Sequence, residues 1–315
     1  MGLYRSISAI SAAEGDVLVD WSAAAEAAVG VTEPGRLDID DVTEAAYRAA
    51  IIEARDAVGR TVGTSVSLPG TIEVIDRHHW IDQASVSFER MLGQTIPDIE
   101  HAGLVRTINT STAAFTLAVL GRRVIGQYDP ALFGDDNEIA LYVVHPNVAT
   151  VAEELSVDEA VFRRWVLHHE VTHAAEFDLA PWLRPYLEDR LGSVLSSLSR
   201  GDIDRENLAD LSRTMTAVEG FAELVMDVSM DDDVTQLRDR LEARRAGLGP
   251  VQQVIDWLLG ITSKRRQYRL GRSFFTDIEQ AHGMGATLAV WEDPSNLPSD
   301  TELADPSAWV ERVNP

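Results

Sequence analysis

Two histidines four residues apart, with a glutamate after the first, can hold a divalent metal and act on a nearby water. The chain carries that pattern in Val166-Leu-His-His-Glu-Val-Thr-His173. On a helix, positions four apart lie about 40° apart around the axis and about 6 Å along it. Imidazoles at that spacing converge two ring nitrogens on one zinc ion at about 2.0–2.1 Å. His169 and His173 are therefore the expected ligands. Glu170 sits about 100° round from His169, badly placed to ligate the same ion but able to reach a water beside it. It is the expected general base. The chain has no cysteine, which excludes thiolate zinc sites, thiol catalysis and disulfides. Any metal must be held by His, Asp and Glu, and there are only eight histidines.

A catalytic zinc takes three protein ligands and leaves one position open. Downstream, Thr216-Ala-Val-Glu-Gly-Phe-Ala-Glu223 reads as helical, with Glu219 and Glu223 on one face. Leu211, Met215, Val218, Ala222 and Val225 form the stripe that buries this helix, with Glu219 at its margin. Gly220 lets a neighbouring backbone come close. Glu219 is the expected third ligand. Glu223, one turn on, is expected to accept the other N–H of a ligand imidazole and hold the ring. Glu176, three residues past His173, is the next candidate ligand. The plainer alternative makes both downstream acids solvated surface groups and both histidines core residues paired by other means.

The elements that must place these residues are mostly helices. Ser156 and Glu159 suggest a capping box opening a helix that runs to about Asp178. Phe162, Val166, His169, His173 and Phe177 share its buried stripe, while Arg163 and Arg164 point away. Pro181 starts the next helix, and a third spans about 205–229. Further helices are expected at 234–246, 250–261 and 264–282, with a last short one from Asp305-Pro306. The segment Trp291 to Pro298 reads as extended. Before the metal motif, 21–59 and 71–120 read as helical, with Gly and Ser punctuation between them. Residues 123–129 and 138–144 read as an antiparallel strand pair, ended by His145-Pro-Asn147. The expected class is mainly α (α+β): a helical bundle around the metal helix with a small antiparallel sheet. After an N-terminal segment, 1–20, residues 21–315 are expected to form a single domain.

These motifs resemble the gluzincins, the thermolysin-like zinc peptidases, which pair H-E-x-x-H with a glutamate ligand on a later helix. More narrowly, the chain resembles a zincin-like, zinc-dependent metallopeptidase family of actinobacteria and archaea. Its members are labelled hydrolases or deazaflavin-cofactor-biosynthesis-associated proteins. The likeness runs from about residue 70 and includes Gly126-Gln-Tyr-Asp129, Leu141-Tyr-Val-Val-His-Pro-Asn147 and Phe162-Arg-Arg-Trp165. It continues through the metal motif to Pro181-Trp-Leu-Arg184, Val218-Glu-Gly-Phe-Ala-Glu223 with Met226-Asp227, and Trp291-Glu-Asp-Pro-Ser-Asn-Leu-Pro298. It implies His169, His173 and Glu219 as zinc ligands, Glu170 as base and a zincin-like fold. One departure is Phe221, where the family commonly has a histidine. A role in deazaflavin cofactor formation would rest on the family label alone.

Several other residues have plainer readings. His78 and His79 are adjacent and project differently, so they make poor joint ligands; a core or interface role fits better. His168 points off the metal face and reads as packing. Tyr128, Tyr186, Tyr268 and His282 are eligible donors to a transition-state oxyanion. The strand Leu141–Val144 is either an edge that binds an extended peptide or an interior strand.

The expected function is metal-assisted hydrolysis of a peptide or small amide, with Zn2+ as cofactor. The competing class is a non-catalytic binding protein stapled by zinc, which would have no use for Glu170. No stretch reaches the roughly 18 uncharged apolar residues of a membrane helix, and the first residues lack the apolar run of a secretion signal. The expected place is the cytoplasm, with no membrane partner.

Charge narrows the partners further. Asp and Glu number 51 against 27 Lys and Arg, a net −24, and Lys264 is the sole lysine. Such a surface repels nucleic acid phosphates and anionic lipid. It also repels itself in dilute buffer, whereas molar salt shrinks the Debye length to about 3 Å. Adaptation to high salt is expected, so the melting midpoint should rise from dilute buffer to multimolar KCl. A flat or falling midpoint in thermal melts would contradict that reading.

Overall fold

The computed structural model describes residues 18–93, 103–230, 237 and 264–315. In chain order its main elements begin with α1 (Trp21–Val31), α2 (Asp41–Val62), β1 (Thr71–Ile75), α3 (Arg77–Gly93) and α4 (Gly103–Gly121). Strands β2 (Gly126–Asp129) and β3 (Ala140–Val144) follow, then α5 (His145–Leu155), α6 (Glu159–Leu179), α7 (Leu183–Ser199) and α8 (Arg205–Ser229). After α9 (Lys264–His282) come the short helices α10 (Met284–Leu288), α11 (Asp300–Ala304) and α12 (Pro306–Val313). The helices expected at 234–246 and 250–261 lie outside the described residues, Leu237 excepted. Two compact units share this chain. The first is Met1–Ile39, Gly70–Val151 and Gly192–Asp204; the second is Asp40–Pro69, Ala152–Leu191 and Arg205–Pro315.

The first unit is built on a sheet of order β1-β3-β2. The expected antiparallel pair forms between β2 and β3, but β1 joins β3 in parallel, so the sheet is mixed. The segment read as helical from residue 71 therefore opens with a strand. Thr-Ile-Glu-Val-Ile alternates with period two and is rich in β-branched residues, while α3 and α4 supply the long crossover that a parallel pair needs. All five residues of β3 are buried. Paired on both sides, β3 has no free edge, and the interior-strand reading holds over the peptide-edge one. Alanines 24, 25, 27 and 28 of α1 are small enough to pack close against Ala114, Leu117 and Ala118 of α4. The buried Asn147 donates to the carbonyls of Gly121 and Val124 and accepts from Arg77 Nε at 2.7 Å. The His145-Pro-Asn motif thus ties the start of α5 to the loop before β2.

The second unit is centred on α6. Its cap is Asp158, whose carboxylate accepts from the N–H groups of Ala160 and Val161. Ser156 does not form the expected box. With φ of 53° it is the left-handed residue that ends α5, where Ser156 N–H bonds Glu153 O and Val157 N–H bonds Ala152 O. Helix α6 stops at Leu179 because Pro181 disfavours helical backbone just before it. Arg163, expected to point away, lies over the buried Tyr47 ring of α2 at 4.9 Å.

Helix α8 packs on α6 and, more closely, on α9. A Cβ on Gly220 would stand 2.4 Å from the Gly271 backbone, so glycine is required on both sides. Phe221 is fully buried and meets the rings of Phe275 and Trp291 edge-on, each at 5.4 Å. The segment from Trp291 to Pro298, expected to be extended, coils into 3₁₀ turns at Ala289–Trp291 and Pro294–Asn296. Side chains satisfy its backbone: Trp182 Nε1 donates to Trp291 O at 2.8 Å, and Trp309 Nε1 donates to Asn296 O at 2.7 Å.

Candidate metal centre

One face of α6 carries a run of rings. Phe162 stacks on Trp165, and Trp165 stacks on His169 with the planes 4° apart at 5.9 Å. His169 then meets His173 edge-on at 4.6 Å. This run holds His169 in place and directs the imidazoles at each other, bringing their Nε2 atoms to 3.2 Å. Two nitrogens at about 2.0–2.1 Å from one tetrahedral ion would be roughly 3.3 Å apart, so the pair has the separation that a shared zinc requires.

Helix α8 supplies the carboxylate. Glu219 Oε2 lies 3.6 Å from His169 Nε2, and both side chains keep 18% exposure, half-buried rather than sealed. One ligand atom each from His169, His173 and Glu219 fall within 4.8 Å of one another. Glu170, the next residue on α6, is buried. His173 Nδ1 donates to Glu176 Oε2 at 2.8 Å, and Glu176 is wholly buried. Glu223, a turn beyond Glu219, is half-buried on α8.

The negative charge gathered here calls for a cation. Burial disfavours a proton on His173, yet Glu176, Glu219 and Glu170 outweigh it and push the ring up to about 10. Burial pushes Glu176 up to about 7, against the pull of His173. Two imidazoles and a carboxylate are also the donor set of a catalytic zinc. The residues fit the metal.

The whole chain can now be placed. It matches the zincin-like metallopeptidase family over residues 19–205 and 197–310. The chain belongs to that family. No curated protein matches it. Among solved structures it is similar to one from Chloroflexus aurantiacus, described as a "putative hydrolase with a novel fold". The identity is 26% and the TM-score 0.78, over 94% of this chain and 99% of that one. The mostly helical zincin-like fold expected from the sequence is the one found. Among the described residues, no helix of this zincin-like chain is long and apolar enough to cross a membrane.

Other expected residues fall as follows. His78 Nε2 bonds Thr32 O at 2.7 Å, and His79 Nε2 lies 3.5 Å from Glu73, so the two rings serve different partners. His168 is buried, with Nδ1 donating to Arg164 O at 2.8 Å. Tyr186 carries the Arg190 guanidinium over its ring at 3.9 Å, and His282 is exposed at the end of α9. The side chain of Tyr268 lies outside those described. Phe221, where the narrower resemblance expected a histidine, is a core residue of the second unit. Sequence reading did not give Trp165 its place beside the imidazoles, and it offered Glu176 as a reserve ligand rather than as the partner of His173 Nδ1. Both stand at helical spacing from a motif histidine, three or four residues away, which is the signal that could have found them.

The raised His173 pKa sets a pH dependence for this zincin-like site. In the metal-free chain it favours the fold fully below about pH 6.5, and that contribution is lost as pH rises through about 10. An entering divalent ion must displace the same proton. Apparent zinc affinity should therefore rise about tenfold per unit from about pH 6.5 to about pH 8.5. Chelator competition across that range measures it, and a flat profile would mean that no proton leaves.

Proposed function

We propose that this zincin-like chain is a zinc-dependent hydrolase that cleaves peptide or related small amide bonds. His169, His173 and Glu219 hold the ion, and Glu170 is the general base. The observation that carries this reading is the convergence of those three donors, with Glu170 buried between the two histidines in sequence. When bound, zinc supplies Lewis acidity toward the substrate carbonyl and acidifies water. Glu170 takes a proton from the attacking water on a carboxylate oxygen and delivers it to the leaving amine nitrogen. His169 and His173 present their Nε2 atoms, and Glu219 brings the charge that favours a divalent ion. Glu223, one turn beyond Glu219 on α8, is given the lesser role of helping to hold a ligand imidazole.

The competing reading, a zinc staple in a binding protein, is disfavoured by the three converging donors found among the described residues, since structural sites close with four protein ligands. The similar structure described as a "putative hydrolase" also favours the enzyme. The net charge of −24 favours uncharged or cationic substrates and disfavours nucleic acid. Incubating the zinc-loaded chain with a mixed peptide library, with and without chelator, tests the proposal. Chelator-sensitive appearance of new amino termini is the expected result. No cleavage across the library, in a chain that holds zinc, would favour the staple.

A further inference from the structure

Glu176 is a carboxylate taken wholly out of water beside the candidate metal centre. Its Oε2 accepts from His173 Nδ1 at 2.8 Å, and its Oε1 has no hydrogen-bond partner among the described residues. A buried charge with so few partners is costly and is seldom retained for stability alone. Its contact lies on the far side of the imidazole from the atom that meets His169. With Nδ1–H committed to Glu176, the proton that a metal displaces is the one on Nε2, whose lone pair is then free 3.2 Å from His169 Nε2. The same placement rules Glu176 out as the alternative third ligand, because its oxygen stands at Nδ1 while Nε2 faces His169. The two rings are thus held by different means, His169 by stacking on Trp165 and His173 by a carboxylate one turn further along α6.

We propose that Glu176 is the positioning residue that fixes the His173 ring, so that Nε2 is presented to the metal. This rests on the zinc site described under Proposed function.

The test uses the full-length, metal-free chain and two variants of similar volume. Glu176→Gln keeps an acceptor for Nδ1–H; Glu176→Met fills the space without one. Glu176→Met leaves the buried His173 Nδ1–H without an acceptor and is expected to lower stability, whereas the near-isosteric Glu176→Gln keeps one. Circular dichroism is expected to show both variants folded, and Glu176→Ala replaces the Met variant should it not fold. Zinc affinity, read by competition with a chelator, is expected to fall about 10–100-fold in Glu176→Met and less than about tenfold in Glu176→Gln. In the zinc-loaded chains, nitrogen NMR of His173 should keep a hydrogen-bonded Nδ1 proton in parent and Gln variant and lose it in Met. Equal affinities in all three chains, or equal losses in both variants, would overturn the positioning role while leaving the zinc reading intact. A parent chain that takes up no zinc would overturn both.

Discussion

Glu170→Gln is expected to keep its zinc and lose hydrolysis by about 10²–10⁴-fold, the usual cost of removing a general base. The reason is geometric. Glu170 is buried on α6 between two histidines whose Nε2 atoms face each other at 3.2 Å. Its position about 100° round from His169 keeps it out of the ligand set while leaving it within reach of a water beside the ion. Glutamine is nearly isosteric, so α6 and its ring stack should survive. Zinc content and peptide cleavage are measured on the same sample of the purified variant. Loss of metal would mean that Glu170 is a ligand and that the base lies elsewhere.

The second large effect concerns α8. Glu219→Ala leaves two imidazoles, and zinc affinity should fall by more than the about 10–100-fold that loss of an outer partner costs. Activity should vanish with it. The fold should tolerate the change, because Glu219 is only half-buried and α8 is anchored by Phe221 and the Gly220–Gly271 contact. Glu223→Ala should weaken binding by less, since the ligand set stays complete. Competition against a zinc chelator ranks the two variants. Near-parental affinity in Glu219→Ala would remove the third ligand from the account.

Much of this arrangement was legible in the sequence because metal ligation imposes spacing on residue types. The string from His169 to His173 implies a helix by itself, and the stripe through Val218, Ala222 and Val225 implies that Glu219 sits at the margin of another. Both helices form over close to the expected residues, α8 at Arg205–Ser229. What was not legible depended on tertiary competition. Ser156 and Asp158 are both good caps, and which is used was decided by the end of α5, which takes Ser156 into the left-handed region. Thr71–Ile75 is too short for its period to stand out from a helical neighbourhood, and only pairing with β3 reveals it. Arg163 looked solvated because sequence shows its charge and not the Tyr47 ring beneath it. Glu176 read as a reserve metal ligand three residues past the motif. Its role emerges only with the 2.8 Å contact to His173 and the burial that removes it from water.

The most direct test of the central claim is the metal stoichiometry and coordination of the zinc-loaded full-length chain, measured by metal analysis with X-ray absorption at the zinc edge. The account predicts one zinc per chain, bound by two imidazole nitrogens, one carboxylate and one non-protein oxygen. Failure to take up zinc, or a zinc closed by four protein ligands, would contradict it.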